Sequence, residues 1–273
     1  MGSVSSEQNP LGKTSAYPDQ YDPGLLFPID REESWKLSGE QRSEVAFFGE
    51  DIWNGHEVSW LNCKGKPVVC MAEFRLPADT PFLIESKSFK LYLNSFNQSR
   101  YHDELQVKAL MEQDLSRAAG GPVSVRFHGP DAVFPAAPVA RLLDELDVDI
   151  TDYSPNPALL QTTEGNFDGW VVSHLLKSNC PVTGQPDWGS LYIHYRGKQI
   201  DEAGLLAYIV SLRQHQDFHE HCVERSFKDI LQRCQPESLT VYARYVRRGG
   251  LDINPFRTTE RDYKACNFRN FRQ

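Results

Sequence analysis

From about residue 51 onward apolar and polar positions alternate, and the alternation predicts the first elements. Val58 and Trp60, then Val68, Cys70, Ala72, Phe74 and Leu76, recur at the period of two that a half-buried strand requires, with Asn62 to Pro67 as the turn between them. The period then lengthens. Residues 86–98 and 103–119 read as helices, the second with Val107, Met111, Leu115 and Ala118 on one face and Gly120-Gly121 as its stop. Alternation resumes at Val123, Val125 and Phe127, and a further extended segment is expected over about 146–161.

The second half repeats this order. Strands are predicted over about 167–176 and 190–196, helices over 201–213 and 219–233, the last with Val223, Phe227, Ile230 and Cys234 in one stripe. Leu239, Val241, Ala243 and Tyr245 alternate in a further strand, and Gly249-Gly250 turns the chain into a final one. A local echo accompanies the repeat: Ser95-x-x-Gln98 precedes Tyr101-His102-Asp103, and Ser211-x-x-Gln214 precedes Phe218-His219-Glu220. Strand pairs beside helix pairs predict an α+β fold in two modules, residues 35–161 and 162–273. Residues 1–34, rich in Ser, Gly, Pro, Asn and Asp, read as an N-terminal arm that packs weakly or against a partner.

Composition narrows the class only a little. The chain has 273 residues, 40% hydrophobic and 24% charged, which suits a folded protein with a sizeable core. With 29 Lys and Arg against 37 Asp and Glu, the net charge of −8 supplies no global attraction to nucleic acid or anionic lipid. No window approaches the roughly 18 consecutive apolar residues of a membrane span, and no apolar signal core opens the chain, so a cytoplasmic protein is expected. Met1-Gly2-Ser3-Val4-Ser5-Ser6 has the form of a myristoylation acceptor, a pattern too common to predict an anchor. Six scattered cysteines with no Cys-x-x-Cys pair read as free thiols, with no structural zinc expected.

Four segments carry chemistry. Cys180 lies in a loop dense in Pro and Gly, Cys180 to Trp188, where a thiol on a rigid turn with Asp187 nearby can serve either as a nucleophile or as a small apolar residue at a strand end. The run His215, His219, His221, Cys222 opens a helix. Its i, i+4 pair His215 and His219 suits a metal, while Phe218-His219-Glu220 suits a polar pair at a pocket mouth or a solvated helix start. Glu85-Ser86-Lys87-Ser88-Phe89-Lys90 places an acid, hydroxyls and lysines at a helix start, suited to an anion or to a Ser cap beside solvated lysines. Arg247-Arg248-Gly249-Gly250 is a second basic turn. No G-x-G-x-x-G follows a strand, so a dinucleotide would bind outside a Rossmann frame.

Taken together, Glu85 to Gln98 (ESKSFKLYLNSFNQ), Cys180 to Trp188 (CPVTGQPDW), Phe218 to Cys222 (FHEHC) and Arg247 to Pro255 (RRGGLDINP) resemble the NADPH-dependent 7-cyano-7-deazaguanine reductases of queuosine biosynthesis, in their long, two-module form. The resemblance covers about residues 35–273. It implies tandem tunnelling-fold modules that join into a barrel, a homodimer, NADPH as cofactor, 7-cyano-7-deazaguanine as substrate, and one site per chain on the His219-Glu220 side. It further implies that Cys180 is the nucleophile, Asp187 the proton donor and His219 a helper in proton movement. Ile84, Glu85, Ser86, His219 and Glu220 would hold the substrate, and Ser86, Lys87, Arg248 and Gly249 the NADPH. The rival expectation is a zinc-dependent pterin or purine cyclohydrolase on the same fold, with Cys180, His219 and Cys222 as ligands.

Overall fold

The computed structural model describes residues 17–37 and 39–273, and the chain divides into two compact units. The first holds the described residues up to Arg42 with Ile52–Val133 and Arg247–Asp252; the second holds Ser43–Asp51, Phe134–Val246 and Ile253–Gln273. In chain order the elements are β1 (Pro28–Asp30), α1 (Glu32–Leu37), β2 (Phe48–Leu61), β3 (Pro67–Pro77), β4 (Phe82–Ile84), α2 (Ser86–Ser95), α3 (Glu104–Ala119) and β5 (Ser124–His128). They continue with β6 (Arg141–Leu142), β7 (Thr162–Asn179), β8 (Pro186–Ile200), α4 (Glu202–Ser211), α5 (His219–Cys234), β9 (Ser238–Tyr245) and β10 (Leu251–Thr258). The fold is α+β with mainly antiparallel strands. Among the described residues no helix is long and apolar enough to cross a membrane.

In the first unit β5 pairs antiparallel with β3, which lies beside β2. The turn between β2 and β3 forms as predicted: Asn62 Oδ1 accepts the N–H groups of Lys64 and Lys66, and Gly65 takes a positive φ of 79°. Val107, Met111 and Leu115 on α3 and Phe89 and Tyr92 on α2 are buried, with Phe89 edge-on to both Trp53 and Phe74. The expectation of a weakly packed arm needs correction over residues 17–34. The Tyr21 hydroxyl donates to Asp114 Oδ2, β1 pairs with β4, Ile29 is buried, and the carbonyls of Asp19 and Phe27 accept from Gln98 and Glu85. A few apolar side chains and open backbone groups fix this stretch without periodicity, which is why the pattern did not reveal it. Residues 1–16, including the myristoylation pattern, lie outside the described residues.

In the second unit the strand order is β10-β9-β8-β7-β6. The long β7–β8 hairpin is in register from Asn166↔Lys198 to Asn179↔Pro186, with an irregularity between Ser173 and Leu176. β8 pairs with β9 from Gly189↔Tyr245 to Arg196↔Ser238. Val223, Phe227 and Ile230 of α5 are buried in the same unit as Ile193, Val241 and Ala243 of the strands. The extended segment expected over 146–161 is not a strand. Apart from one 3₁₀ turn at Pro157–Leu159 it is irregular, because Pro155 and Pro157 have no N–H for a ladder and Leu160 is its one buried side chain, with Leu143 buried just before it.

The helix pairs of the two units share one internal plan. α2 and α4 each have ten residues and an acidic N-cap, Glu85 and Asp201, accepting backbone N–H groups. The seventh residue of each is a tyrosine, and Tyr92 donates to Asp114 and Tyr208 to Asp229, each at 2.8 Å. In both, a serine three residues on (Ser95, Ser211) donates to that tyrosine's carbonyl at 2.7 Å. α3 and α5 have sixteen residues each and end on a left-handed residue, Gly120 and Gln235. This frame moves the echo read from sequence by two positions. His102 and Asp103 precede their helix, with Asp103 as its cap, whereas His219 and Glu220 are the first two residues of theirs.

Candidate active site

The candidate nucleophile sits at the tip of the β7–β8 hairpin. The Cys180 N–H donates to the Gln185 carbonyl at 2.9 Å, and the Gly184 N–H to the Cys180 carbonyl at 3.0 Å, with Gly184 at a φ of 67°. These bonds make a tight loop that leaves Cys180 partly exposed. Asp187, the second residue of β8, stands opposite Ser178 in the ladder, and both are buried. The other cysteines divide into two groups. Burial pushes the Cys70 thiol up to about 12 and the Cys234 thiol up to about 11, and burial and the nearby Asp217 charge push Cys222 higher still, so these three stay protonated at neutral pH. Cys63 and Cys266 are exposed.

His219 opens α5. Its ring lies flat on the Tyr245 ring, with centroids 3.9 Å apart and planes at 15°. Its Nε2 is 3.4 Å from Asp187 Oδ2, a contact of opposite polarity without hydrogen-bond alignment. Tyr245 is fully buried, and burial holds its phenol well above the ordinary range. Gly189, its register partner, makes room for it: a Cβ there would lie 3.2 Å from Tyr245 Cδ1 and 3.1 Å from Leu176 Cδ2. Glu220, the next residue of α5, is 3% exposed at the positive end of the helix. The structure therefore gathers Cys180, Asp187, His219 and Glu220 in one unit, and adds Tyr245.

Two expectations about the histidine run change. His215 belongs to the turn before the helix, so the i, i+4 face expected for His215 and His219 does not exist. Among the described residues the potential metal ligands that converge are His215, Asp217 and His221, rather than Cys180, His219 and Cys222. Even this trio has the geometry of a proton-sharing network. His221 Nδ1 lies 2.5 Å from Asp217 Oδ2, whereas two ligands at about 2.0–2.2 Å from a tetrahedral zinc stand more than about 3 Å apart. Burial pushes Asp217 up, but the neighbouring His215 and the hydrogen-bonded His221 outweigh it and hold the carboxyl well below its usual range.

The other expected residues lie in the first unit. Glu85, fully buried, caps α2 by accepting the N–H groups of Lys87 and Ser88 at 2.7 Å each, so the cap is the acid rather than a serine. Burial pushes its carboxyl up, against the pull of those N–H groups and of Lys90 and Lys87. Each oxygen keeps a further lone pair for a ligand donor. Ile84 is buried at the end of β4, and Ser86 and Lys87 are half-buried on the first turn of α2. Arg248 and Leu251 exchange backbone hydrogen bonds across Gly249 and Gly250, both at positive φ, a two-residue hairpin turn that needs glycine. That turn packs on α2: a Cβ at Gly249 would lie 3.7 Å from Lys90 Nζ. A recess of about 120 Å³ is lined by Lys90, Asn94, Asn97, Gly249 and Gly250, with Glu57 also on its wall.

Comparison with known proteins gives matches over nearly the whole chain. A family model described as "Nitrile reductase, 7-cyano-7-deazaguanine-reductase N-term" matches residues 17–127, and one described as "QueF-like protein" matches residues 186–264. The chain is 56% identical over 274 residues to the NADPH-dependent 7-cyano-7-deazaguanine reductase of Dechloromonas aromatica, covering 98% of this chain and 96% of that protein. It is 54% identical over 269 residues to the enzyme of that name from Chromohalobacter salexigens, covering 98% and 97%. With that of Azoarcus sp. the identity is 53% over 277 residues, covering 98% and 96%.

Proposed function

The chain belongs to the family of NADPH-dependent 7-cyano-7-deazaguanine reductases, and from that premise we propose that it reduces the nitrile of 7-cyano-7-deazaguanine to the primary amine through a covalent adduct on Cys180. The observation that carries this reading is the grouping, in one unit, of a partly exposed hairpin cysteine with a buried acid 3.4 Å from a stacked histidine. Cys180 Sγ adds to the nitrile carbon, and the nitrile nitrogen takes a proton from Asp187, giving a thioimide. NADPH, when bound, supplies hydride twice, so the balance is one nitrile, two NADPH and two protons to one amine and two NADP⁺. Between the two hydride transfers the C–S bond breaks, Cys180 leaves as thiolate, and an imine remains. His219 holds Asp187 by its contact and relays the second proton.

Glu220, with Glu85, Ser86 and the backbone of Ile84, accepts the N–H donors of the guanine-like edge, for which carboxylates are the matching partners. Ser86, Lys87, Arg248 and Gly249 bind NADPH. The glycine turn packed against Lys90 suits a phosphate, and Glu57 on the recess limits the charge it attracts. The repeated helix plan supports two tunnelling-fold modules joined in a barrel. The protein acts as a cytoplasmic homodimer on a small molecule, without nucleic acid or membrane.

The deciding experiment is intact-protein mass spectrometry after mixing with 7-cyano-7-deazaguanine without NADPH. An adduct of substrate mass on the wild type, absent from Cys180→Ala and discharged by NADPH, is expected. Absence of both the adduct and nitrile-dependent NADPH oxidation would overturn the reading.

A further inference from the structure

We infer that Asp217, hydrogen-bonded to His221 with His215 beside it, is a positioning residue that holds the Cys180 loop and the His219-Glu220 helix start in register with each other. The inference rests on the function proposed above and extends it to residues that touch neither substrate nor cofactor there.

The network joins the two parts physically. Asn179, the residue before Cys180, donates its N–H to the His215 carbonyl at 2.8 Å and accepts the Asp217 N–H at 3.2 Å. The Asp217 side chain then reaches forward into α5. Oδ1 accepts the Phe218 N–H at 2.8 Å and Oδ2 accepts from His221 Nδ1, while His215 Nε2 stands 3.5 Å from Oδ2. His219 and Glu220 lie between these anchors on the same first turn. One residue thus ties the strand end that carries the nucleophile, by its backbone, to the helix start that carries the histidine and the acid, by its carboxylate.

The first unit serves as an internal control. There the Leu61 N–H donates to the Ser99 carbonyl and the Tyr101 N–H to the Leu61 carbonyl, both at 2.9 Å, the same backbone clamp at the same hairpin end. The places of His215 and Asp217 are taken by Ser99 and Tyr101, and counting from the helix start the place of His221 is taken by Gln106. This fold therefore builds the clamp without an ionisable trio. The trio occurs in the unit that holds Cys180, Asp187, His219 and Glu220, so it serves the site rather than the backbone.

The test compares His221→Asn, which keeps a donor at the place of Nδ1, with His221→Ala, and both with Asp217→Asn. Two rates are read on each folded variant: adduct formation at saturating 7-cyano-7-deazaguanine, and alkylation of Cys180 by iodoacetamide, a small reagent that needs no alignment. Adduct formation is expected to fall about tenfold or more in His221→Ala and Asp217→Asn and to recover to within about threefold in His221→Asn, with alkylation within about twofold throughout. Unchanged adduct rates, or equal loss in His221→Asn and His221→Ala, would overturn the inference, as would parallel loss of both rates. Where Asp217→Asn does not fold, the His221 pair alone decides. A wild type that forms no adduct and oxidises no NADPH overturns the function first; a wild type that does both while the variants match it overturns only the positioning role.

Discussion

The His219 ring lies on the Tyr245 ring at a centroid distance of 3.9 Å, and this stack fixes the plane in which Nε2 meets Asp187. The stack needs a flat partner, not a hydroxyl. Tyr245→Phe is therefore expected to keep kcat for nitrile-dependent NADPH oxidation within about threefold, whereas Tyr245→Leu, which keeps bulk but loses the flat face, lowers it by about tenfold. Equal activities in steady-state assays would remove the stack from the mechanism.

On the proposed function, variants of Glu220 and Lys87 should separate substrate binding from cofactor binding. Glu220→Gln leaves an N–H donor of the substrate facing an amide, so the KM for the nitrile should rise by about tenfold or more with NADPH affinity nearly intact. Lys87→Ala should give the opposite pattern, with weaker NADPH binding by fluorescence titration and surviving adduct formation. Loss of both affinities in either variant would contradict its assignment.

Asp217 sets an acid dependence of stability. Its folded carboxyl titrates below the unfolded value of about 3.9, so the stability it contributes is fully present above that value and is lost as pH falls toward the folded one. Urea denaturation should show Asp217→Asn less stable than wild type at pH 7, with the difference shrinking below about pH 4. A difference that grows on acidification would reverse the sign of the argument.

Arg257 is wholly buried, and it donates to Asp51 at 2.8 Å and to Glu224 at 3.1 and 2.8 Å. Burial opposes its charge, but the two carboxylates outweigh burial and raise its pKa. Arg257→Met removes the buried cation that both acids face, at a cost of about 3–5 kcal/mol, which calorimetry would read as a large drop in Tm. A drop of only a degree or two would show that water reaches the site.

The alternating residues of β2, β3, β8 and β9, the helical stripe of α5 and the repeated element order determined the α+β fold, because periods of two and 3.6 each select one geometry. The segments around Glu85, Cys180, Phe218 and Arg247 mark the candidate site residues only through their joint resemblance to the family, since each short run alone also suits a cap, a turn or a strand end. The packing of residues 17–34 and the absence of a strand over 146–161 were not legible there, because single anchors such as Tyr21 and Leu143 leave no period. In the sequence Tyr245 is one more strand position, and Asp217 carries no mark of its own beside the histidines except its i, i+4 relation to His221. Only the tertiary structure decided that Tyr245 underlies His219, and that Asp217 ties Asn179 to α5. Such contacts join residues far apart in the chain, where local periodicity has no reach.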